Sequence, residues 1–196
     1  MSNVYLCTAI PYVNGNPHIG HAMDYLLADT YARYRRLIGG AGDEVRLSAG
    51  TDEHGNKVFR SAERAGMSVE EYSKLNSDKF RNFINKMDVT YTDFIRTTDP
   101  EHARRCQEIW QKLTPHIYAA EYDGWYCEGC ESFVTQKEHD ENHGICPDHQ
   151  KPYEHLTEKN YYLRIADFKE QITAAIESDQ MQILPAFRKT EALKLL

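Results

Sequence analysis

The chain has 196 residues, of which 41% are hydrophobic and 27% are charged, values typical of a folded globular protein rather than a disordered one. Lys and Arg number 23 against 30 Asp and Glu, a net charge of −7, so the chain as a whole lacks the basic character of a general nucleic-acid-binding protein. No apolar run approaches the ~20 residues of a membrane span, and the N-terminus lacks the features of a signal peptide. We therefore expect a cytoplasmic protein that binds neither membranes nor DNA.

Strand and helix patterns alternate along the N-terminal half of the chain. An apolar run over 4–9 predicts a buried strand, and apolar residues at three- and four-residue steps predict a helix over 18–38. Further elements are predicted in the order strand, helix, helix, strand, helix, over 44–49, 57–65, 68–87, 89–97 and 99–113. Such alternation predicts an α/β fold in which helices cover a parallel sheet.

The pattern changes after Pro115. An aromatic stretch over 122–126 leads into a Cys- and His-bearing segment that ends near His155. Later segments predict a strand over 160–164, a helix over 165–178 and a short final helix over 188–196. We therefore divide the chain into 1–115 and 116–196, with the Cys/His segment at about 122–155. We expect the cysteines outside this segment, Cys7 and Cys106, to lie in the core. We expect the same of Trp110 and of the tyrosines in the helical stripes.

The loop between the first predicted strand and the first predicted helix ends in His18-Ile19-Gly20-His21. Ligands of open α/β sheets bind beyond the carboxyl ends of the strands, and the unpaired N–H groups of a helix N-terminus suit phosphate. His18 and His21 share one face of the first turn and can donate hydrogen bonds to a phosphoryl group. Gly20 has no side chain, so the flat base of a nucleotide could lie against the backbone there. Spacing alone is equally compatible with two structural histidines at a helix start.

Asp52 follows the second predicted strand, in a polar turn over 50–55. A ligand ammonium that becomes buried needs an anionic partner, and Asp52 is expected at the carboxyl end of a strand, where ligands bind. Asp is also common in turns and helix caps, so the residue type by itself favours a structural role.

Four residues form two short pairs with the spacing of a zinc knuckle. Cys127 and Cys130 form a C-x₂-C pair, and Cys146 and His149 form a C-x₂-H pair, with fifteen residues between the two pairs. Such pairs are typical of tetrahedral zinc, and four protein ligands predict a structural ion. His139 and His143 are rival ligands, but neither lies in such a pair. A segment this small needs a metal to fold.

The sequence resembles a known family at four places. His18-Ile19-Gly20-His21 is identical to the HIGH signature of class I aminoacyl-tRNA synthetases, and its flank over 8–15 resembles the methionine enzymes more than the isoleucine, valine, leucine or cysteine enzymes. The segments 50–55, 94–100 and 124–127 resemble the same family and occur in its order. The chain is therefore similar, over nearly its whole length, to the N-terminal part of the methionyl-tRNA synthetases.

The resemblance implies a fold and a nucleotide site. The fold would be the first half of a Rossmann-like parallel sheet of the HUP (nucleotidyl transferase) type, with a small zinc-knuckle connective insert. His18 and His21 would be catalytic, binding the phosphates of ATP and stabilising the transition state of adenylate formation. Gly20 would pack under the adenine and complete the ATP-binding set.

The resemblance also implies an amino-acid site and a reaction. Ala9, Ile10 and Tyr12 would line the methionine pocket, and Asp52 would hold the amino group of L-methionine. The implied reaction is that of a methionine–tRNA ligase, which forms methionyl-adenylate from methionine and ATP and then transfers the methionyl group to tRNA(Met). Magnesium is expected with ATP, and one structural zinc per chain is expected in the insert.

The sequence also departs from the family. Members are longer and carry a KMSKS-type lysine loop and a helical anticodon-binding domain, and no such lysine motif occurs here. We therefore expect this chain to be incomplete and inactive by itself. Two other functions stay open. One is a non-catalytic module that binds tRNA or a partner through the zinc insert. The other is a small HxGH nucleotidyltransferase, against which the zinc knuckle and the 50–55 segment argue.

Overall fold

A computed structural model describes residues 3–40 and 42–196. The chain divides into two compact units between Gln107 and Glu108, inside a helix that spans Pro100–Leu113. No helix in these described ranges is long and apolar enough to cross a membrane.

The first unit is a three-stranded parallel sheet with helices between its strands. Its elements in chain order are β1 Val4–Cys7, α1 Ile19–Ile38, β2 Val45–Thr51, α2 Asn56–Ala65, α3 Val69–Lys86, β3 Asp93–Arg96 and α4 Pro100–Leu113, the helix in which the units divide. The strand order is β1-β2-β3, and both pairings are parallel. This arrangement confirms the predicted α/β class.

The central strand β2 extends beyond both neighbours and is buried at every position except Arg46. Gly50 allows β2 and β3 to approach closely, because a Cβ at this position would overlap the carbonyl oxygen of Ile95. Just beyond the strand, Asp52 continues the parallel pairing with Tyr12 in the loop after β1. The carboxyl end of β2 therefore meets the loop that leads into α1.

Helix α1 buries a different face from the apolar stripe seen in the sequence. Its buried positions are Ala22, Tyr25, Asp29 and Ala32, which recur at three- and four-residue steps and so form one face. The larger apolar residues of the helix, which define the stripe visible in the sequence, are exposed instead: Ile19, Met23, Leu26, Leu27, Tyr31, Tyr34, Leu37 and Ile38. Tyr25 and Ala32 belong to the same core cluster as Val45, Leu47 and Ala49 of β2, so this face of the helix, and not the apolar stripe, packs on the sheet.

The expectation of core positions for several other residues is wrong as well. Cys7 and Cys106 are exposed, and Trp110 is 48% exposed. Neither α4 nor the outer face of β1 buries them, because α4 has no fully buried residue and β1 alternates between exposed and half-buried positions.

Strand β3 is shorter than the apolar pattern over 89–97 predicts. The backbone N–H and hydroxyl of Thr90 both donate to the buried carboxylate of Asp29, and Arg36 donates to the carbonyl of Thr90. Polar side chains of α1 therefore hold the segment before β3, so that the ladder with β2 begins only at Asp93.

The second unit is built on an antiparallel sheet of order β5-β4-β6. Its elements are β4 Ile117–Cys127, β5 Ser132–Val134, α5 Gln136–Glu141, β6 Glu154–Leu163, α6 Lys169–Glu177 and α7 Phe187–Leu195, with short 3₁₀ turns before β4 and α6. The long pairing of β4 with β6 starts at Ile117↔Leu163 and ends at Tyr126↔Glu154. The sequence indicates only parts of these strands, because most of their side chains are exposed and no alternation marks them.

Candidate active site and candidate metal centre

Two histidines cap the N-terminus of α1 by a reciprocal pair of hydrogen bonds. His18 is the N-cap residue, and its Nδ1 accepts the backbone N–H of Gly20 at 3.1 Å. The Nδ1 of His21 accepts the backbone N–H of His18, also at 3.1 Å. This is the geometry of a capping box, with imidazoles in the places usually taken by Ser or Thr and by Glu or Gln.

The cap sets the proton position on both rings. Because each Nδ1 accepts a hydrogen bond, the proton of each neutral imidazole lies on Nε2. The rings stack with centroids 3.8 Å apart, and the ring of His21 also meets Phe80 edge-on at 5.0 Å. Burial lowers the pKa of His21, and the neighbouring His18 lowers it further, while Asp24 opposes both effects. Two Nε2–H donors are thus available at the helix N-terminus.

A small cavity of about 170 Å³ lies beside His21. Its lining joins the loop after β1 to the first turns of α1 and consists of Ala9, Pro11, Gly20, His21, Asp24 and Tyr25. The carboxylate of Asp24 accepts the backbone N–H of Ala9 at 3.2 Å and so ties the loop to the helix. We did not expect a role for Asp24 from the sequence, although it lies one turn after His21 on the same helix face.

The loop after β1 and the end of β2 hold each other through the backbone. The N–H of Asp52 donates to the carbonyl of Pro11 at 2.9 Å, and the N–H of Val13 donates to the carbonyl of Asp52 at 3.2 Å. Tyr12 and Asp52, both half-buried, are therefore paired across the site, while Ala9 and Ile10 are exposed beside it. Residues about forty positions apart in sequence therefore meet at this edge of the sheet.

Glu53 is a second residue that the sequence did not single out. Its side chain is fully buried, and Arg96 donates to both carboxylate oxygens, from Nε and Nη2, at 2.7 Å each. Thr51 and Thr98 donate to the same carboxylate at 3.0 and 2.5 Å. Burial alone would raise the pKa of Glu53, but the hydrogen bonds from Arg96, Thr98 and Thr51 hold it below its usual value.

Four residues of the second unit form a compact group of metal-binding atoms. The thiols of Cys127, Cys130 and Cys146 and the imidazole of His149 all lie within 4.8 Å of one another. His149 Nδ1 lies 3.9, 3.3 and 3.6 Å from the three sulfurs in chain order, and the sulfurs of Cys130 and Cys146 are 3.6 Å apart. A tetrahedral zinc ion with bonds of about 2.0–2.3 Å has ligand–ligand distances of about 3.4–3.8 Å. The group can therefore hold a metal ion.

The chemistry of the thiols also fits a cation. Hydrogen bonding with Cys146 and Cys127 raises the pKa of Cys130 to about 12. Burial opposes ionisation of Cys146, but hydrogen bonds with His149 dominate and lower its pKa to about 6. Crowded thiols cannot all ionise without a positive charge among them, and a bound metal ion removes this conflict.

Two neighbouring features shape this cluster. Gly129 allows the imidazole of His149 to approach, because a Cβ at this position would overlap that ring. His139, one of the rival ligands, stacks on Trp125 instead, with ring centroids 3.9 Å apart. Neither His139 nor His143 belongs to the metal-binding group found among the described residues.

Most of the chain matches one family of known proteins. A family model described as tRNA synthetases class I (M) matches residues 4–155, which include the whole first unit from β1 onward and the Cys/His cluster. The chain belongs to this family. The Rossmann-like sheet of the first unit is accordingly the class I synthetase fold.

Individual relatives agree with the family assignment. The chain is 36% identical to the methionine–tRNA ligase of Thermotoga maritima, over 98% of this chain and 31% of that protein. It is 37% identical to the methionine–tRNA ligase of Clostridium tetani, over 96% of this chain and 29% of that protein. This class I synthetase chain thus spans about a third of the length of the curated relatives it matches.

Solved structures show the same likeness. The methionyl-tRNA synthetase of Mycobacterium tuberculosis, in complex with methionyl-adenylate, superposes with a TM-score of 0.86 at 30% identity. The match covers 100% of this chain and 38% of that one.

Proposed function

We propose that this chain carries the part of a methionine–tRNA ligase that binds ATP and L-methionine for the formation of methionyl-adenylate. In the full reaction the methionine carboxylate attacks the α-phosphorus of ATP, pyrophosphate leaves, and the methionyl group passes to the terminal hydroxyl of tRNA(Met). The cytoplasm is the compartment in which we place this activity. The chain spans about 30% of its relatives, so it supplies one part of the complete enzyme.

The reciprocal histidine cap carries the ATP-binding part of the proposal. His18 and His21 use Nδ1 for the cap and keep Nε2–H free, so both rings can donate to phosphate oxygens without any change of tautomer. The helix N-terminus adds a partial positive charge in the same direction. We assign both rings to the phosphates and to the charge that develops in the transition state, and Gly20 to the adenine. Magnesium would accompany ATP.

The pairing of Tyr12 with Asp52 supports the amino-acid part of the proposal. Asp52 would bind the ammonium group of methionine, because a half-buried carboxylate at the carboxyl end of β2 offers a charge-assisted hydrogen bond there. Ala9, Ile10 and Tyr12 would line the side-chain pocket from the loop after β1. A relative that superposes on this chain with a TM-score of 0.86 was solved in complex with methionyl-adenylate, which supports an adenylate-forming site as the setting for this pocket.

The Cys/His cluster would hold one structural zinc. All four positions of a tetrahedron are filled by protein atoms, so Cys127, Cys130, Cys146 and His149 leave no open position for a substrate. The ion would connect the turn after β4 to the turn before β6 and stabilise the fold of the second unit.

Charge argues against the alternative of an RNA-binding module built on the zinc insert. Residues 108–196 carry 9 Lys and Arg against 16 Asp and Glu, so the entire net charge of −7 lies in the second unit. Three thiolates on a divalent ion would add further negative charge. Such a surface repels the phosphate backbone of RNA. The alternative of a small HxGH nucleotidyltransferase is disfavoured by the family match, which extends through the Cys/His cluster.

The proposal is tested by ATP binding to the 196-residue chain, followed through backbone amide shifts. We expect ATP to shift the amides of Gly20 and His21, and His21→Ala to weaken ATP binding by about tenfold or more. His102→Ala, which removes a half-buried histidine on α4 that contacts Cys106, is the control and should bind ATP like the original chain. Absence of ATP binding, or equal binding by both variants, would contradict the proposed site.

A further inference from the structure

The buried ion pair between Glu53 and Arg96 joins the carboxyl ends of β2 and β3 directly beside Asp52. Glu53 follows Asp52 in sequence, and Arg96 is the last residue of β3. Both carboxylate oxygens accept two hydrogen bonds each, from Arg96 and from the hydroxyls of Thr51 and Thr98. A buried carboxylate with all its acceptor positions used is held in one geometry.

Other hydrogen bonds extend this connection to the backbone on either side. The N–H of Glu53 donates to the hydroxyl of Thr97 at 2.9 Å, and the N–H of Thr97 donates to the carbonyl of Thr51 at 3.2 Å. The hydroxyl of Thr51 is also 2.8 Å from that of Ser77 on α3. The turn after β2 is thus attached to β3 and α3 on the side opposite the loop that holds Tyr12.

We propose that Glu53 and Arg96 are positioning residues for the amino-acid site, which they serve by fixing the backbone of Asp52. Asp52 lies between two attachments. On one side its N–H and carbonyl pair with Pro11 and Val13, and on the other side the next residue is held by Arg96. Loss of the ion pair with Arg96 would leave the Asp52 backbone held only by its hydrogen bonds with Pro11 and Val13. The inference rests on the proposed function for its biological meaning, since Asp52 is the residue we assign to the methionine ammonium.

The geometry distinguishes this role from a general contribution to the stability of the sheet. Arg46 and Asp93 form another ion pair across the same two strands, at 3.0 Å, but near their amino ends and with Arg46 52% exposed. Exposed pairs contribute little to stability, whereas removal of one partner from a buried pair leaves an uncompensated charge. The two pairs therefore provide a matched comparison within one sheet.

The test is amide hydrogen exchange measured by NMR on the 196-residue chain and on Glu53→Gln, which keeps the shape of the side chain and removes its charge. The N–H groups of Asp52 and Val13 should lose protection by about tenfold or more, because they report on the pairing between the turn and the loop. Amides in the middle of β2 should keep their protection. Asp93→Asn, the matched control, should change the protection of neither Asp52 and Val13 nor the middle of β2.

Two further measurements complete the test. Arg96→Lys keeps the positive charge but cannot donate two parallel hydrogen bonds to the Glu53 carboxylate. It should therefore give a smaller loss of protection, confined to the same amides. This variant keeps the test available if Glu53→Gln does not fold. Titration with L-methionine should shift the Asp52 amide in the original chain and less so in Glu53→Gln. Unchanged protection, or a uniform fall over the whole sheet in both variants, would overturn the inference. A local fall without any methionine-induced shift would instead contradict the proposed amino-acid site, while the attachment of the Asp52 backbone by Glu53 and Arg96 would still hold.

Discussion

The ring of His21 accepts the backbone N–H of His18, while the ring of His18 accepts that of Gly20, both at 3.1 Å. The same two side chains therefore cap the N-terminus of α1 and carry the N–H donors that we assign to ATP. One nitrogen of each imidazole serves the fold, and the other is the one that we propose for the ligand. We therefore expect a change at either ring to affect helix stability and nucleotide binding together.

The first prediction concerns pH. The pKa of His21 is lowered, chiefly by burial, so the folded chain favours the neutral ring that accepts the N–H of His18. Stability from this group is present above the usual pKa of about 6.5 and is lost as pH falls through the lower folded value. We expect the free energy of unfolding in urea to drop by about 0.5–2 kcal/mol over this range, the usual cost of a lost cap.

The control for the pH prediction is His21→Gln. Glutamine is a normal partner in a capping box and does not titrate. The drop in stability between pH 7.5 and pH 5 should therefore be smaller in this variant than in the original chain. An identical pH dependence in both proteins would show that His21 is not the responsible group.

The second prediction concerns the metal centre. Purified chain should contain about one equivalent of zinc, and Cys146→Ser should lose it. Gly129→Ala should also bind zinc more weakly, because its Cβ would overlap the ring of His149. Gly15→Ala, at a position with no neighbouring atom within 4 Å, should bind zinc normally. Metal analysis and a competing chelator measure these differences, and full zinc retention in Cys146→Ser would contradict the assigned ligands.

The third prediction concerns the close approach of β2 and β3. Gly50→Ala would place a Cβ on the carbonyl oxygen of Ile95 and separate the two strands. We expect a loss of about 1–3 kcal/mol in the free energy of unfolding, the usual cost of overpacking. Gly15→Ala is again the control and should leave stability almost unchanged. If both variants were equally stable in a denaturant titration, the strand contact at Gly50 would be looser than the structure indicates.

The fourth prediction concerns the cavity beside His21. The hydroxyl of Tyr25 is buried and has no hydrogen-bond partner among the residues that the structure describes, and burial raises its pKa to about 12. Removal of an unsatisfied buried hydroxyl should raise stability, so Tyr25→Phe should unfold at higher denaturant, with a gain of about 1 kcal/mol.

The matched Tyr→Phe change outside this cavity is Tyr72→Phe. The hydroxyl of Tyr72 donates to the carbonyl of Asn14 at 3.3 Å, so its removal should lower stability by about 0.5–1.5 kcal/mol. Opposite signs for the two Tyr→Phe changes would support the description of the cavity. A clear loss of stability in Tyr25→Phe would mean that its hydroxyl has a partner in solution.

The fifth prediction concerns catalysis. We expect the 196-residue chain alone not to form methionyl-adenylate at a useful rate. Charge on the leaving pyrophosphate needs donors on more than one side, and the described site offers them at the His18–His21 helix end. The measurement is methionine-dependent exchange of labelled pyrophosphate into ATP, compared with a full-length relative. Robust exchange by the short chain that is abolished by His21→Ala would overturn the expectation.

The sequence alone determined the features that depend on local patterns. Helical periodicity located α1 to within one residue, since the pattern is carried by the residues of the helix itself. The paired spacing of Cys127, Cys130, Cys146 and His149 located the group that could hold a metal ion, because each pair brings two candidate ligands together within a single turn. The motif over 18–21 likewise indicated a helix N-terminus with two histidines on one face.

Only the tertiary structure decided which distant residues meet. Glu53 and Arg96 are 43 positions apart, and each looks like an ordinary surface charge in the sequence. The pairing of Tyr12 with Asp52, the long β4–β6 ladder and the exposed outer face of α1 are equally invisible to local patterns. Which face of a helix is buried and which strand ends adjoin follow from how elements pack, and packing depends on side-chain volumes at the contacts rather than on periodicity. The histidine motif could therefore be recognised in the sequence, whereas the ion pair of Glu53 and Arg96 beside Asp52 could be recognised only in the folded sheet.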